Sequence, residues 1–310
     1  MGVRSCLSVC MSPTLQKTLC FPGIAPGMVN RTAAHRLDAA GKGINVSRVL
    51  TQLAKPNLHL TQLGGSLRPL FLELCAADGL AIQWVESNSP IRFCYTLITG
   101  EDSGRTVTEL VEEAAPVGPG TEDRLMAAYV AALPDQDMVV ISGSKAAGFS
   151  DALIPGMVRE AKEAGSKVVL DIRGRDLLGS LAFSPDIIKP NLLEFALTFA
   201  PELLSGNELI DDTGRVKGRI RDICGELWDK HHSRVVLTRG GEGIWFADGE
   251  GLHEYPVEPM RAVNTTGSGD AFTAGLAAAF GDGASLQDAV AEGARCGRLN
   301  AGLLRIGSIR

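Results

Sequence analysis

The sequence of 310 residues has few aromatic residues, no excess of basic residues and no long apolar run. Aromatic residues make up 5% of the chain and hydrophobic residues 45%, so we expect a globular protein with an aliphatic, alanine-rich interior. The net charge of −6 argues against a nucleic-acid partner, because binding to phosphate backbones needs concentrated positive charge. No apolar stretch reaches membrane-spanning length, so we expect no membrane partner.

The cysteines form no recognisable pattern, since their number is odd and no Cys-x-x-Cys pair occurs. No histidine lies at metal-ligand spacing either, which argues against a zinc site or a disulfide scaffold. The segment from Met1 to Met11 is too short and too polar for the apolar part of a signal peptide. We therefore expect a cytoplasmic protein with reduced, mostly buried thiols: Cys6, Cys10, Cys20, Cys75, Cys94, Cys224 and Cys296.

The second half of the chain alternates predicted strands with predicted helices, and no internal repeat or interdomain linker interrupts it. This alternation predicts an α/β fold with a mostly parallel, helix-covered sheet. Ligands of such sheets bind at the carboxyl ends of the strands. The predicted strands beyond Gly118 are Met138 to Ser142, Lys167 to Asp171, Ile187 to Lys189 and Arg234 to Thr238.

One stretch, from Asn264 to Phe280, joins a glycine-rich turn to a helix of small and apolar residues. Gly267 and Gly269 carry no Cβ, so the backbone can turn sharply there and approach a bound group closely. The first N–H groups of a helix have no partner inside it, and the macrodipole adds partial positive charge. The stretch therefore predicts a phosphate site.

Asp270 places a carboxylate inside this predicted anion site. A carboxylate beside a phosphoryl group can accept the proton of an attacking hydroxyl, while the loop N–H groups stabilise charge on the group in transfer. The structural alternative is that Asp270 caps the first helical turn and that the glycines only form a connection. This stretch alone leaves both interpretations open.

A second helix start opened by glycines lies between Asp38 and Leu50, with Lys42 between two glycines and Asn45 one turn further on. The alternative there is a helix terminus with a solvated lysine.

The segment from Ile91 to Thr99 alternates with period two, residues 100–104 are predicted to form a turn, and the chain then returns to Leu110 as a predicted hairpin. Within it, Arg92 suits a phosphate dianion, although a solvated arginine on an edge strand is an equal alternative.

Polar residues follow the predicted strands at their carboxyl ends. Asp171, with Arg173 and Arg175 after it, marks a strand end that suits phosphate, although capping by Asp171 is an equal alternative. Asn191 and Glu194 lie three residues apart on one helix face, and an amide with a carboxylate suits hydrated Mg²⁺. A capping box explains the same two residues equally well.

Several of these segments resemble the motifs of the ribokinase-like, or PfkB, carbohydrate kinases, in the expected order from Gly41 to Asp270. The stretch around Asn264 resembles the family's Asp-Thr-x-Gly-Ala-Gly-Asp motif, with Asn264 and Ser268 as mild departures. The segment around Lys42 resembles Gly-Gly-Lys-Gly-x-Asn, in wording similar to the 1-phosphofructokinase and tagatose-6-phosphate kinase branch. The resemblance implies one three-layer α/β/α domain over residues 1–310, with a small β-strand lid from about 12–36 and 88–114.

The resemblance also implies roles for individual residues. Asp270 would be the catalytic base, and the N–H groups of Gly267, Ser268, Gly269 and Asp270 would form the anion hole. Asn191 and Glu194 would organise Mg²⁺. Substrate-binding residues would be Gln16, Gly41, Lys42, Gly43, Asn45, Arg92, Ser142, Ser144, Lys145 and Arg173. ATP-binding residues would be Lys189, Asn191, Thr238, Gly240, Gly243, Gly267 and Gly269.

The implied activity is an ATP-dependent, Mg²⁺-assisted phosphotransfer to a hydroxyl of a phosphorylated ketohexose, with a possible homodimer through the lid. One departure affects the substrate: the branch usually has Asn-Pro-Ala-x-Asp where this chain has Ser12-Pro-Thr-Leu-Gln16. Because Gln16 is neutral and longer than aspartate, sugar recognition is expected to differ. The alternatives are a kinase for an unphosphorylated sugar or a nucleoside, and a binding regulator with weak turnover.

Overall fold

The computed structural model describes residues 5–100, 105–206 and 208–310, so residues 101–104 of the predicted lid turn lie outside it. A nine-stranded sheet forms its centre, in the order β15-β14-β13-β10-β9-β8-β1-β4-β5. The strands from β13 to β5 run parallel, whereas β14 and β15 form an antiparallel edge. The bounds are β1 Cys6–Cys10, β4 Asn57–Leu63, β5 Ile82–Glu86, β8 Met138–Ser142, β9 Lys167–Asp171, β10 Ile187–Ile188, β13 Arg234–Thr238, β14 Ile244–Asp248 and β15 Gly251–Tyr255.

Helices cover both faces of this sheet. Because successive side chains of a strand point to opposite faces, Val139 and Ile141 of β8 join one core while Met138 and Val140 join the other. The first core packs against α3 Thr121–Ala132, α4 Leu153–Glu163, α5 Gly174–Ser180, α6 Leu192–Phe199 and α7 Thr213–His231. The second packs against α1 Lys42–Gln52, α8 Ser268–Gly281 and α9 Leu286–Ala301.

A separate four-stranded sheet stands at the carboxyl ends of the central strands and forms the lid. Its order is β3-β2-β6-β7, with β2 and β6 parallel and the outer pairs antiparallel. The bounds are β2 Thr14–Phe21, β3 His35–Ala40, β6 Arg92–Thr99 and β7 Thr106–Val111. A third core, which includes Phe71 of α2 Arg68–Ala77, lies beneath the lid. A short two-stranded sheet, β11 Leu204–Ser205 and β12 Glu208–Leu209, is separate from both larger sheets.

This architecture is the three-layer α/β/α arrangement with a mostly parallel sheet and a small lid that the sequence predicts. Among the described helices, none combines the length and the apolarity that crossing a bilayer requires. The last strand of the first lid segment, β3, ends at Ala40, so this segment continues directly to Gly41, which opens α1.

Candidate active site

A cavity of about 510 Å³ lies between the lid and the carboxyl ends of the central strands. It receives side chains from the lid, from the first turns of α1 and α8, and from the ends of β9, β10 and β13. Twelve of the predicted site residues line it: Gln16, Gly41, Lys42, Asn45, Arg92, Lys189, Asn191, Glu194, Thr238, Gly267, Gly269 and Asp270.

Asp270 lies in the first turn of α8 with only 6% of its surface exposed. Its Oδ2 atom accepts a hydrogen bond of 2.7 Å from the Nδ2 atom of Asn45. Burial, with Asp171 as a like-charged neighbour, raises the pKa of Asp270 to about 6, against the opposing effect of Lys42. A buried carboxylate that titrates close to neutral pH is suited to accept a proton.

The helix start that holds Asp270 depends on a left-handed glycine. Gly267 has φ +80°, and a Cβ at this position would lie 2.5 Å from the backbone nitrogen of Gly307. The N–H group of Ser268 donates to the carbonyl of Thr265 at 3.1 Å, whereas α8 itself provides no acceptor for the N–H groups of Gly269 and Asp270. These amides and the helix dipole form a site that favours an anion.

Asp171 forms the centre of a charged group in the wall of the cavity. Lys42 Nζ lies 3.3 Å from its Oδ1 atom, and Lys189 Nζ lies 3.7 Å from its Oδ2 atom. Thr273 Oγ1 and Ser142 Oγ also donate to Oδ2, at 2.9 and 3.3 Å. Burial by itself would raise the pKa of Asp171, but Lys189 and Lys42 outweigh burial and hold this pKa below its usual range. Asp171 in turn raises the pKa of Lys42, so both groups stay charged.

Asn191 and Glu194 form the capping box at the start of α6. The N–H of Glu194 donates to Asn191 Oδ1 at 2.8 Å, and the N–H of Asn191 donates to Glu194 Oε2 at 3.1 Å. The other carboxylate oxygen of Glu194, Oε1, lies 3.9 Å from both Lys42 Nζ and Arg173 Nη1. Capping therefore uses one oxygen of Glu194, while the second belongs to the charged surroundings of the cavity.

The lid contributes polar side chains from the inner faces of its strands. Gln16 is buried and its Nε2 atom donates to Thr96 Oγ1 at 2.8 Å, so the carbonyl Oε1 is the atom left to accept from a ligand. Arg92 donates from Nη1 to the carbonyl of Glu112. The Nε atom of Arg92 is buried and has no hydrogen-bond partner among the described residues.

The remaining predicted residues lie outside the cavity lining. Gly43 instead allows α1 to pack on β1, because a Cβ there would lie 2.6 Å from the carbonyl oxygen of Val9. Lys145 pairs with Asp176 and, at 3.0 Å, with Asp151. Ser268 Oγ donates to Asn300 Oδ1 at 3.2 Å, and Ser142 Oγ donates to Asp171. Also outside the lining are Ser144, Gly240, Gly243 and Arg173, whose side chain is 64% exposed.

The cavity also contains residues that sequence reasoning did not assign to it. Asp171 carried a signal, since it follows a predicted buried strand, but capping explained that position equally well. Ala40, Thr265 and Thr266 lie within the two glycine-opened stretches, but the sequence indicated no role of their own for them. The others carry no distinctive motif: Thr14, Cys94, Val107, Glu109 and Val111 lie on lid strands, and Ile306 lies in the loop after α9.

The chain matches the model of the family described as "pfkB family carbohydrate kinase" over residues 14–303. The chain belongs to this family. It is 26% identical over 274 residues to 1-phosphofructokinase of Vibrio cholerae, covering 88% of this chain and 82% of that protein. It is 29% identical over 275 residues to 1-phosphofructokinase of Rhodobacter capsulatus, covering 87% and 81%.

Solved structures support the fold. The chain superimposes with a TM-score of 0.85 on a possible 1-phosphofructokinase of Thermotoga maritima, at 21% identity, with 97% of this chain and 93% of that chain covered. The TM-score is 0.84 for phosphofructokinase-2 of Escherichia coli in complex with fructose-6-phosphate, at 22% identity, with 99% and 96% covered.

These matches confirm the predicted family and fold, and they confirm an ATP-dependent kinase of the carbohydrate-kinase type. The names of the two curated relatives also support the predicted class of activity, a sugar-phosphate kinase.

Proposed function

We propose that this pfkB-family kinase transfers the γ-phosphoryl group of ATP to a hydroxyl of a phosphorylated ketohexose, with fructose 1-phosphate as the first candidate, and that Asp270 is the general base. The observation that carries this proposal is the position of Asp270, buried at the start of α8 and facing the same cavity as Lys42 and Lys189. The two 1-phosphofructokinase relatives support the choice of acceptor.

The chemistry assigned to Asp270 is a single proton transfer. The substrate hydroxyl forms a bond to the γ-phosphorus of ATP while the bond from that phosphorus to the bridging oxygen breaks, and ADP leaves. Asp270 accepts the proton of the attacking hydroxyl. The N–H groups of Gly269 and Asp270 stabilise negative charge on the group in transfer. Closure of the lid over the sugar excludes water, which limits wasteful hydrolysis of ATP.

The donor atoms beside the cavity fit a hydrated Mg²⁺ held mainly by nucleotide phosphates. Among the described residues no cluster of three or more acidic, histidine or cysteine side chains forms a complete metal cage. Mg²⁺ usually keeps several waters and takes one or two carboxylates together with phosphate oxygens. Glu194 would supply its Oε1 atom, and Asn191 Oδ1 has a second lone pair beyond its capping bond. Mg²⁺ would neutralise charge on the phosphates of ATP.

Arg92 favours a phosphorylated acceptor. Arg92 lines the cavity from the lid. A guanidinium in this position would donate charge-assisted hydrogen bonds to a phosphate dianion. The carbonyl of Gln16 would accept from a sugar hydroxyl in the same half of the cavity.

One observation favours an unphosphorylated sugar or a nucleoside as the second candidate. The lid also contributes Glu109 to the cavity, and its carboxylate would repel a dianionic acceptor. The presence of a neutral glutamine at position 16 is compatible with either acceptor. A regulator that binds nucleotide but turns over weakly is the third possibility.

Release of ADP across free sugars, sugar phosphates and nucleosides distinguishes these three possibilities. We expect release with a ketohexose phosphate and loss of at least about a thousandfold in kcat for Asp270→Asn, with nucleotide binding retained. Asp282→Asn is the matched control, because Asp282 lies at the other end of α8 in an exposed pair with Lys55. Undiminished turnover by Asp270→Asn would remove the general base from the proposal, and nucleotide binding without sugar-dependent ADP release would favour the regulator.

We also propose a cytoplasmic homodimer that associates through the lid. The outer part of the lid exposes Met28, Val29 and Leu110, at 72%, 74% and 51% of their surface, and such apolar side chains favour a protein contact. The seven cysteines are all free thiols, which suits a reducing compartment. Sedimentation of the wild-type protein and of Val29→Glu would test the dimer, which we expect to dissociate in the variant.

A further inference from the structure

Arg48 is a charged side chain buried in α1, with 1% of its surface exposed. It lies one turn after Asn45, between the C-terminal end of α2, the lid strand β3 and the loop that contains Ile306 and Gly307. A guanidinium stays charged in a protein, so complete burial requires acceptors on several sides. No part of the proposed chemistry so far uses this residue.

The acceptors around Arg48 come from four different segments. Its Nε atom donates to Asp78 Oδ2 at 2.7 Å, and Nη2 donates to the carbonyl of Ala39. Its Nη1 atom donates to Asn45 Oδ1 at 2.9 Å and lies 3.4 Å from the carbonyl oxygens of residues 306 and 307. The rigid fork of the guanidinium therefore holds the position of the Asn45 amide.

The contact with Arg48 determines which end of the Asn45 amide faces Asp270. Arg48 can only donate, so it requires the amide oxygen on its own side. The amide nitrogen then points to Asp270 and donates at 2.7 Å. In the reversed orientation two donors would face each other at Arg48, and two oxygens would face each other at Asp270, so both contacts would be repulsive.

Gly307 closes the remaining space around the amide. A Cβ on Gly307 would lie 2.3 Å from Asn45 Cβ and 2.6 Å from Asn45 Oδ1. Such close packing leaves the Asn45 side chain little room to change rotamer. Two independent contacts, one polar and one steric, therefore fix the same amide.

We propose that Arg48 is a positioning residue of this kinase, which keeps the N–H of Asn45 rather than its oxygen directed at Asp270. The proposal rests on the assignment of Asp270 as general base. Donation from Asn45 favours the charged form of Asp270, so it keeps the base available for the substrate proton. Arg48 has this effect through Asn45 and without touching the substrate.

Other charged groups also act on Asp270, and they stay in place when Arg48 changes. Lys42 and Lys189 lower the pKa of Asp270, whereas Asp171 raises it. The Cys10 thiol of β1 is a further titratable neighbour, and Arg92 and Glu109 face the same cavity from the lid. A change at Arg48 should therefore shift the titration of Asp270 and leave these influences intact.

The test is the titration of Asp270 in the full-length protein with Arg48→Lys. Carbon NMR of labelled aspartate carboxyls, with the Asp270 signal identified by Asp270→Asn, follows the group directly and does not depend on turnover. We expect the midpoint to rise by roughly one pH unit, because a lysine cannot hold both Asp78 and the Asn45 oxygen. At pH values below both midpoints, kcat/KM should fall about tenfold, and it should recover above them.

Arg305→Gln is the matched control. Arg305 binds Asp78 and, at 3.2 Å, Asp38 in the same charged cluster, but no hydrogen bond joins it to Asn45 in the described structure. The titration midpoint of Asp270 in Arg305→Gln should equal that in the wild type. An equal shift in Arg305→Gln would overturn the proposal, since the effect would then belong to the charged cluster as a whole.

A double-mutant comparison distinguishes action through Asn45 from any other route. In an Asn45→Ala background, Arg48→Lys should cause no further shift of the midpoint. A shift of the same size in that background, or no shift in Arg48→Lys alone, would overturn the proposal. If Arg48→Lys does not fold, Asp78→Asn is the second variant, because it removes the carboxylate that holds Nε. Failure of Asp270 as the base would appear separately, as turnover by Asp270→Asn.

Discussion

Lys42 and Asp171, separated by 129 positions in the sequence, form an ion pair of 3.3 Å in the wall of the cavity. Lys42 belongs to the first turn of α1, and Asp171 is the last residue of β9. The pair therefore joins the first glycine-opened helix to the end of a central strand. Because Asp171 also acts on Asp270, this contact links the electrostatics of the cavity to the proposed general base.

We expect the rate of phosphotransfer to rise with pH through a midpoint near the Asp270 pKa of about 6. A base must be deprotonated to accept a proton, so activity is low below this value and reaches a plateau above it. The measurement is kcat/KM between pH 5 and pH 8, because this ratio reports the pKa of the free enzyme.

The phosphates of both substrates also titrate near this range, so a control is needed. Asp171→Asn removes a like charge beside Asp270 and should lower the enzyme midpoint without changing the substrates. A midpoint that stays the same in this variant would assign the titration to the substrates and contradict the prediction.

Asp171→Asn should also reduce the free energy of unfolding at pH 7 by about 3 kcal/mol, because it leaves the buried ammonium group of Lys189 without its carboxylate and removes the nearest carboxylate of the partly exposed Lys42. Since the folded-state pKa of Asp171 is lowered, its stabilisation is present above the ordinary carboxylate pKa of about 4 and is lost as pH falls further. Urea unfolding at pH 7 and in acid would measure both effects.

Asp282→Asn provides the comparison for the stability of Asp171→Asn. Its partner Lys55 is partly exposed, so we expect a loss below about 1 kcal/mol. If Asp171→Asn and Asp282→Asn lose the same free energy of unfolding, the buried ion pairs of Asp171 stabilise the protein no more than an exposed pair, and the prediction is wrong.

Glu194→Gln should raise the Mg²⁺ concentration needed for half-maximal activity by about tenfold. Glutamine keeps the capping box of α6, since its amide oxygen still accepts from the N–H of Asn191, but it has no charge for a metal ion. Titration of activity with Mg²⁺ at fixed ATP would measure the change.

Glu194→Ala separates capping from metal binding. This variant should need the same raised Mg²⁺ concentration as Glu194→Gln. Because it also loses the capping box, its unfolding free energy should fall by about 1 kcal/mol. If Glu194→Gln retains the wild-type Mg²⁺ dependence, the glutamate is a structural cap and no more.

Gly267→Ala should cost about 3 kcal/mol of unfolding free energy and most of the activity. The alanine would adopt φ +80° and place its Cβ 2.5 Å from the nitrogen of Gly307, so the start of α8 must move. Thermal unfolding together with kcat would measure both losses.

Gly218 offers a matched glycine in the interior of α7. A Cβ there has no atom within 4 Å, so Gly218→Ala should stabilise the protein by about 0.5 to 1 kcal/mol and leave kcat unchanged. Similar behaviour of the two alanine variants would refute the close contact between residues 267 and 307.

Much of the fold follows from local sequence, because a strand or a helix is visible in its own residues. The buried strand Met138–Ser142 is an apolar run, and the start of α8 is marked by its glycines. The capping box of Asn191 and Glu194 is likewise a local pattern, and the structure contains it. The parallel pairing of the lid strands β2 and β6 is different, because it depends on two segments distant in the chain.

Asp171 and Arg48 show why part of the site could not be predicted. The local sequence around a polar residue at a strand end is the same whether that residue caps a helix or binds two lysines. Its role depends on which elements pack beside it in the fold. The same holds for Arg48, whose acceptors come from α2, β3 and the loop at residues 306 and 307. Only the assembled chain brings these groups together.

The contact of Gly307 with Asn45 and Gly267 has a consequence for the order in which the protein matures. During synthesis on the ribosome, Asn45 and the lid emerge long before residue 307, so the nascent chain can form most of its sheet while the cavity still lacks the wall that contains Ile306. The enzyme should therefore gain its activity in a late step of biogenesis, after the bulk of its secondary structure is in place.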